Sequence, residues 1–135
     1  MIDSKRLRFH HVGVACRDFD SEERHFAALG YVREGADFHD PIQGIFGRFL
    51  IGGGPRLELL KNDREPGVLS GWLRKGVRFY HLAYETDDFT AEVERFVSSG
   101  ARQIVAPVPA IAFGGRLITF FMLANLTLVE LIQSA

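Results

Sequence analysis

The chain contains the same sequence pattern twice. Residues 9–30 align without a gap on residues 79–100, at a constant offset of 70 positions. The identical pairs are Phe9/Phe79, His11/His81, Asp18/Asp88, Phe19/Phe89, Glu22/Glu92, Phe26/Phe96 and Gly30/Gly100. Two copies with so long a period exclude a solenoid. We therefore predict a single domain over residues 1–135 that contains module one (residues 8–62), a connector (residues 63–77) and module two (residues 78–133).

Each module predicts the order βαβββ. An apolar strand comes first, Asp18 or Asp88 then takes the N-cap position of a helix, and Gly30 or Gly100 stands where a left-handed residue ends it. Extended stretches complete the modules; they are residues 31–34, 46–51 and 56–61, and residues 102–106, 116–122 and 126–132. The connector predicts a short helix over residues 68–75. One sheet with one helix leaves a sheet face uncovered, so we expect the two modules to combine around a shared cleft.

Composition narrows the function classes. The net charge is −1, from 16 Lys and Arg against 17 Asp and Glu, and without a basic run this argues against nucleic acid and anionic membranes as partners. The single Cys16 excludes an intramolecular disulfide and a cysteine zinc site. No apolar stretch is long enough to span a bilayer, and residues 1–8 lead into no signal segment. We therefore expect a cytoplasmic protein.

Four ionisable residues interrupt apolar strands at corresponding places in the two modules. His11 and His81 lie in the first strands, whereas Glu58 and Glu130 lie in the last strands. Glu58 follows His11 by 47 residues and Glu130 follows His81 by 49. A carboxylate in an apolar strand is costly unless it is paired, protonated or bound to a cation.

These four residues predict a site for one divalent metal ion. Two imidazole nitrogens and two carboxylates suit Zn, Ni, Co, Mn or Fe, with positions left for water and substrate. Any single strand Glu can instead point to solvent, because strand side chains alternate between faces. The repeat favours the metal interpretation, because without a shared role all four ionisable residues would have to occupy corresponding positions by chance. The predicted fold class is therefore α+β, with two tandem βαβββ modules forming a curved mixed sheet around a metal-containing cleft.

The chain resembles the vicinal oxygen chelate superfamily, which contains glyoxalases, bleomycin-resistance proteins and dioxygenases. The resemblance rests on the segments FHHVGVACRD, RLELL, FYHLAYETDD, FGGRLITFF and LVELIQ. Its methylmalonyl-CoA epimerase branch is the most similar, since that branch opens each site with a His-containing strand. The branch's Gln or Glu ligand maps to Glu58 and its last Glu ligand maps to Glu130. The Gln-Gly of its first-module loop maps to Gln43 and Gly44.

The resemblance implies a divalent-metal-dependent lyase or isomerase of the glyoxalase or epimerase type. Such an enzyme stabilises an enolate or enediolate on the metal while a carboxylate moves an α-proton. The expected substrate is a 2-oxo compound, a thioester or a similar small molecule. The epimerase has a catalytic Glu just ahead of its Gln-Gly, whereas this chain has Asp40 three residues before Gln43. The base candidates are therefore Asp40, Glu58 and Glu130, and His39 is a possible substitute.

Several other residues could have either a structural role or a role in substrate binding. Gln43, Arg116, Tyr84 and Phe120 are candidates for substrate binding, although aromatic residues in strands more often pack in a core. Arg116 follows two glycines and suits either a carboxylate contact or a solvated turn. His10 adjoins His11 and must face the opposite side of the strand.

Two further functions stay open at this stage. A bleomycin-resistance-like protein would bind a small molecule without catalysis, and the complete ligand set argues against it. An extradiol-type Fe(II) dioxygenase would use two His and one Glu, and a fourth ligand at position 58 argues against that. We also expect a homodimer, since relatives are usually dimers and the strand edges need cover.

Overall fold

The computed structural model describes residues 6–135. Contacts divide the chain into two compact units. The first unit comprises residues 11–80, and the second comprises residues 81–135 with the described residues that precede His11. No helix in the described part of the chain is long and apolar enough to cross a membrane.

The first unit has a mixed, largely antiparallel sheet. Its elements are β1 (Arg8–Ala15, from His11 onward in this unit), α1 (Phe19–Ala27), β2 (Val32–Asp40), β3 (Ile45–Ile51), β4 (Leu57–Asn62) and α2 (Ser70–Arg74). The strand order is β2-β3-β4-β1. Strands β1 and β4 are parallel, whereas the other neighbours are antiparallel. The parallel pair makes the long return through α1, β2 and β3 necessary.

The second unit repeats this arrangement. Its elements are β5 (Phe79–Thr86, from His81 onward in this unit), α3 (Phe89–Ser98), β6 (Arg102–Pro109), a 3₁₀ turn (Ile111–Phe113), β7 (Leu117–Met122) and β8 (Leu128–Gln133). The strand order is β5-β8-β7-β6, with β5 and β8 parallel. The predicted α+β class and the tandem βαβββ order are confirmed.

Local chemistry sets the ends of the two long helices. The Asp18 carboxylate accepts a hydrogen bond from the Ser21 amide at 2.9 Å, and Asp88 accepts one from Ala91 at 3.2 Å. Gly30 and Gly100 follow the helices with φ of 96° and 93°. These values lie in the region that a residue without Cβ adopts at no steric cost. The predicted caps and stops are therefore confirmed.

An apolar core lies between each long helix and one face of the strands beside it. In the first unit Val14, Leu57 and Leu59 pack with Phe19, and in the second unit Val129 and Leu131 do so with Phe89; all are buried. Because strand side chains alternate, this packing turns residues 11 and 58, and residues 81 and 130, to the other sheet face. The helix-facing core thus fixes where the four ligand candidates point.

Several predicted bounds were wrong. Strand β2 runs on to Asp40 and β6 to Pro109, and the connector helix is confined to Ser70–Arg74. Leu69, directly before this helix, is buried, whereas Trp72 within it is half-buried. The residues by which β2 and β6 exceed their predicted lengths are mostly exposed. They therefore lack the alternation of apolar and polar residues that marks a strand.

Candidate metal centre

A buried imidazole meets a buried carboxylate in the first unit. Strands β1 and β4 are parallel, with Gly13 opposite Glu58, which brings His11 to the carboxylate on the same face. His11 Nε2 lies 3.0 Å from Glu58 Oε1, and the two side chains are 0% and 6% exposed. The sheet register therefore brings together two residues that stand far apart in sequence.

The second unit contains the corresponding pair. Strands β5 and β8 are parallel, with Ala83 opposite Glu130. His81 Nε2 lies 3.2 Å from Glu130 Oε1, and both side chains are almost fully buried. The duplication seen in the sequence thus extends to the geometry of the two His–Glu pairs.

A phenylalanine packs edge-on against each imidazole. The ring centroids of His11 and Phe49 lie 5.6 Å apart at an interplanar angle of 80°, and those of His81 and Phe120 lie 5.2 Å apart at 87°. Each ring belongs to the residue directly across from the Glu of its own pair, on β3 or on β7. Phe120 therefore stands beside a candidate ligand, where the sequence placed a substrate contact.

The donor set suits a divalent cation. Neutral imidazole nitrogen and carboxylate oxygen are the ligand atoms of zinc and of the neighbouring first-row metals. Among the described residues, the buried side chains that could hold a metal ion are His11 and Glu58 in the first unit and His81 and Glu130 in the second. Burial makes an uncompensated carboxylate costly, so a cation would offset the charge of the two glutamates.

Asp40 lies at the end of β2 and is fully buried. One carboxylate oxygen accepts hydrogen bonds from the amides of Ile42 and Gln43, both at 3.1 Å, and the other accepts one from the Gln43 side chain at 2.9 Å. These bonds fold the loop before Ile45. Asp40 and Gln43 therefore form one loop-shaping contact.

His39 lies on the other face of β2 from Asp40, because strand neighbours alternate. Its ring stacks on Phe46 at 4.5 Å, and its Nε2 lies 3.0 Å from the carboxylate of Asp63. That imidazole holds the pKa of Asp63 below its ordinary value. Since Phe46 packs with the helix-facing core, His39 points away from the face that carries His11 and Glu58.

Arg116 is tied to protein groups near the start of β7. Its guanidinium donates to the carboxylate of Glu85 at 3.1 Å and to the Gln133 carbonyl at 3.0 Å, and it lies over the ring of Phe113. Arg116 thus contacts a carboxylate of this chain, and its substrate-binding role stays a prediction.

Tyr84 and Cys16 belong to the apolar cores. Tyr84 packs with the α3 cluster and meets Phe9 edge-on at 5.7 Å, on the opposite face of β5 from His81. Cys16 is buried, and burial raises the pKa of its thiol to about 11, which leaves it without nucleophilic character near neutral pH.

Sequence reasoning missed the residues that surround the first pair. Phe49 was assigned no role, and neither was Phe38, whose ring packs on Phe49 only through the pairing of β2 with β3. The signal that pointed to Phe49 is its position 71 residues before Phe120, close to the repeat offset.

Comparisons with known proteins agree with the geometry. The family model described as "Glyoxalase/Bleomycin resistance protein/Dioxygenase superfamily" matches residues 10–120. An ethylmalonyl-CoA/methylmalonyl-CoA epimerase of Cereibacter sphaeroides is 27% identical over 115 residues, which cover 84% of this chain and 86% of that protein.

Solved structures extend the comparison to the whole fold. A methylmalonyl-CoA epimerase in complex with methylmalonyl-CoA and NH4+ is 30% identical, with a TM-score of 0.78 over 95% of this chain and 94% of that one. The Streptomyces coelicolor methylmalonyl-CoA epimerase (E43Q), in complex with 2-nitronate-propionyl-CoA, is 29% identical, with a TM-score of 0.79 over 95% and 97%. The Mycobacterium tuberculosis methylmalonyl-CoA epimerase is 25% identical, with a TM-score of 0.82 over 100% and 93%.

Proposed function

Because the chain belongs to the glyoxalase/bleomycin resistance protein/dioxygenase superfamily, in its epimerase-like branch, we propose that it is a metal-dependent isomerase. It would move a proton at the carbon next to a thioester or ketone carbonyl. The observation that carries this proposal is the pair of buried His–Glu contacts at corresponding places in the two repeats. The acyl-CoA complexes of the similar epimerases support a thioester substrate.

We assign the metal-ligand role to His11, Glu58, His81 and Glu130 together. A bound divalent ion would supply Lewis-acid stabilisation of the negative charge that develops on the carbonyl oxygen when the α-proton leaves. The fit rests on the donor set itself, since each unit supplies one nitrogen and one oxygen from buried side chains. The expected ions are Zn, Ni, Co, Mn and Fe.

The chain's own carboxylates move the proton. Glu58 and Glu130 lie on the strand faces that carry the imidazoles. One of them accepts the α-proton from one face of the substrate, and the other, in its protonated form, donates a proton to the opposite face, which inverts the α-carbon. We assign Asp40 to shaping the loop, because three hydrogen bonds already occupy its carboxylate. Phe49 and Phe120 hold the imidazole rings and keep water from the reacting atoms.

Exchange of the α-proton of methylmalonyl-CoA in D2O, followed by proton NMR, tests this function. We expect metal-loaded protein to catalyse the exchange and Glu58→Gln or Glu130→Gln to slow it, with the base carboxylate costing about 100-fold or more. For one supplied stereoisomer, the variant with the larger loss of exchange rate at unchanged metal content identifies the carboxylate that removes the proton. Glu94→Gln, on the exposed side of α3, is the matched control and keeps full activity.

Two results would count against the proposal. Metal-loaded protein that exchanges neither thioesters nor 2-oxo compounds is not an isomerase of this type. Oxygen consumption with a catechol and Fe(II), without proton exchange, would identify a dioxygenase.

A further inference from the structure

The two repeats differ in the aromatic residues beside their His–Glu pairs. In the first unit Phe38 lies next to Phe49, with ring centroids 5.8 Å apart at an interplanar angle of 31°. In the second unit Val108 stands opposite Ile118 at the place where Phe38 stands opposite Gly47, so an aliphatic side chain takes the place of the second ring. The additional aromatic surface is therefore a property of one repeat, unlike the His–Glu pairs.

Gly47 allows the Phe38 ring to lie flat on the sheet. The two residues are direct cross-strand neighbours on β2 and β3. A Cβ at position 47 would lie 2.5 Å or less from three atoms of the Phe38 ring, which no real contact tolerates. The ring therefore occupies the space that a side chain at position 47 would take.

A buried arginine network holds Phe38 in register. The pairing of β2 with β3 shifts between Glu34 and Phe38, as it does at a β-bulge, which redirects the side chains that follow. Arg48 donates two hydrogen bonds of 2.8 Å to Asp37, within this shift. It also donates to Asp20 and Glu23 on α1, so the shifted segment is tied to the helix.

The aromatic pair stands next to a carboxylate of the proposed reaction. Phe49 is the direct cross-strand neighbour of Glu58, and such neighbours have Cβ atoms about 5 Å apart. A substrate whose α-carbon lies within reach of Glu58 would place one of its groups near this apolar surface, and the alkyl α-substituent is the group that an apolar surface favours. Phe38 also packs on the buried cluster that includes Ile45 and Leu60. Both Phe38 and Phe49 nevertheless stay half-buried, so part of each ring is open to contact.

We propose that Phe38, lying flat against Gly47 and packed on Phe49, forms the wall that limits the size of the substrate's α-substituent. The wall admits a short alkyl group and excludes longer ones. This inference rests on the proposed function and adds the residue that sets its specificity. Phe38 acts by contact with the substituent and takes no part in proton transfer.

The test measures α-proton exchange for malonyl-CoA thioesters with 2-methyl, 2-ethyl, 2-propyl and 2-butyl substituents. We expect Phe38→Ala to raise kcat/KM for the 2-butyl thioester relative to the 2-methyl thioester about tenfold or more, since one methylene in an apolar pocket changes discrimination by that factor. Phe38→Leu, which keeps more of the apolar contact, gives a smaller shift in the same direction and serves if Phe38→Ala does not fold. Phe46→Ala is the matched control, because its ring lies on the opposite face of β3 against His39.

The outcomes separate the two claims. The wall is supported if the ratio of kcat/KM for the 2-butyl and 2-methyl thioesters rises in the Phe38 variants and stays unchanged in Phe46→Ala. The wall is overturned, and the isomerase activity is not, if this ratio stays unchanged in the Phe38 variants, whether or not all four thioesters react more slowly. Wild-type protein that exchanges none of the thioesters overturns the proposed function, and the wall with it.

Discussion

The residue that position 47 tolerates depends on its cross-strand neighbour, Phe38. Its backbone is ordinary strand, where Ala is normally favoured over Gly by about 0.5–1 kcal/mol. We expect Gly47→Ala to destabilise the protein instead, by about 1–3 kcal/mol, because the new Cβ meets the Phe38 ring. In the Phe38→Ala background the same substitution should become neutral or stabilising. Urea unfolding of the four proteins of this cycle measures the change of sign.

Equal destabilisation in both backgrounds would show that position 47 is restricted by something other than Phe38. The sequence predicts none of this, because Gly47 carries no turn signal and Phe38 lies outside the predicted strand of residues 31–34. Cross-strand register decides the contact, and register depends here on a shift between Glu34 and Phe38 that no local pattern marks. The buried His and Glu residues were predictable because the repeat points to each of them twice.

Strand β2 and helix α1 are held together by charge. Arg48 is 8% exposed and contacts Asp37, Asp20 and Glu23. Its hydrogen bonds hold the pKa values of Asp37 and Asp20 below the ordinary range. A carboxylate with a lowered pKa in the folded state stabilises the protein above its unfolded pKa of about 3.9, and this contribution is lost as the pH falls through the lower folded value.

We therefore expect Arg48→Met to reduce stability by about 1–2 kcal/mol at pH 7, a value that allows for solvent around the carboxylates. The difference from wild type should shrink as the pH falls below about 4. Denaturant unfolding between pH 2.5 and pH 7 measures this convergence. Arg33→Met is the matched control, since Arg33 reaches Glu23 and Asp20 from a half-exposed position and should cost less than about 0.5 kcal/mol. A difference that stays constant with pH would indicate that lost packing, and not charge, explains the effect.

The elements differ in how far sequence predicts them. Both long helices were predicted with their caps, because Asp18 and Asp88 bind the first-turn amides and glycines end the helices. The outer strands β2 and β6 were predicted too short. Most of their residues are exposed, and β6 includes Pro107 and Pro109. Outer strands of this kind need no apolar face and can accept proline, so the patterns that reveal inner strands are absent.

For the molecule as a whole, duplication made both the fold and the family predictable. A repeat of 70 residues with an apolar strand, a capped helix and three further strands specifies βαβββ twice. The resemblance to the epimerases agrees with the family comparison. The base was not predictable, because Asp40 is bound within its own loop and the two glutamates are equivalent in sequence. The expected homodimer and the cytoplasmic location stay predictions.

Metal stoichiometry tests whether the two His–Glu pairs act as one site. If all four residues bind a single ion, the protein should hold about one divalent ion per chain, and His11→Ala alone should remove nearly all of it. If each pair binds its own ion, the wild type should hold two and His11→Ala should keep one. Elemental analysis after dialysis against Ni, Co, Mn, Zn or Fe(II) distinguishes these cases. His25→Ala, which removes an exposed imidazole of α1, controls for surface binding.

A bound ion also stabilises the folded chain, since a ligand at 100 times its Kd adds about 2.7 kcal/mol to the free energy of unfolding. If the four residues bind a single ion, a chelator should therefore lower the Tm of the wild type and leave that of His11→Ala unchanged, whereas with two separate ions it should lower both. Full metal content in both His11→Ala and His81→Ala would remove the four residues from the metal site.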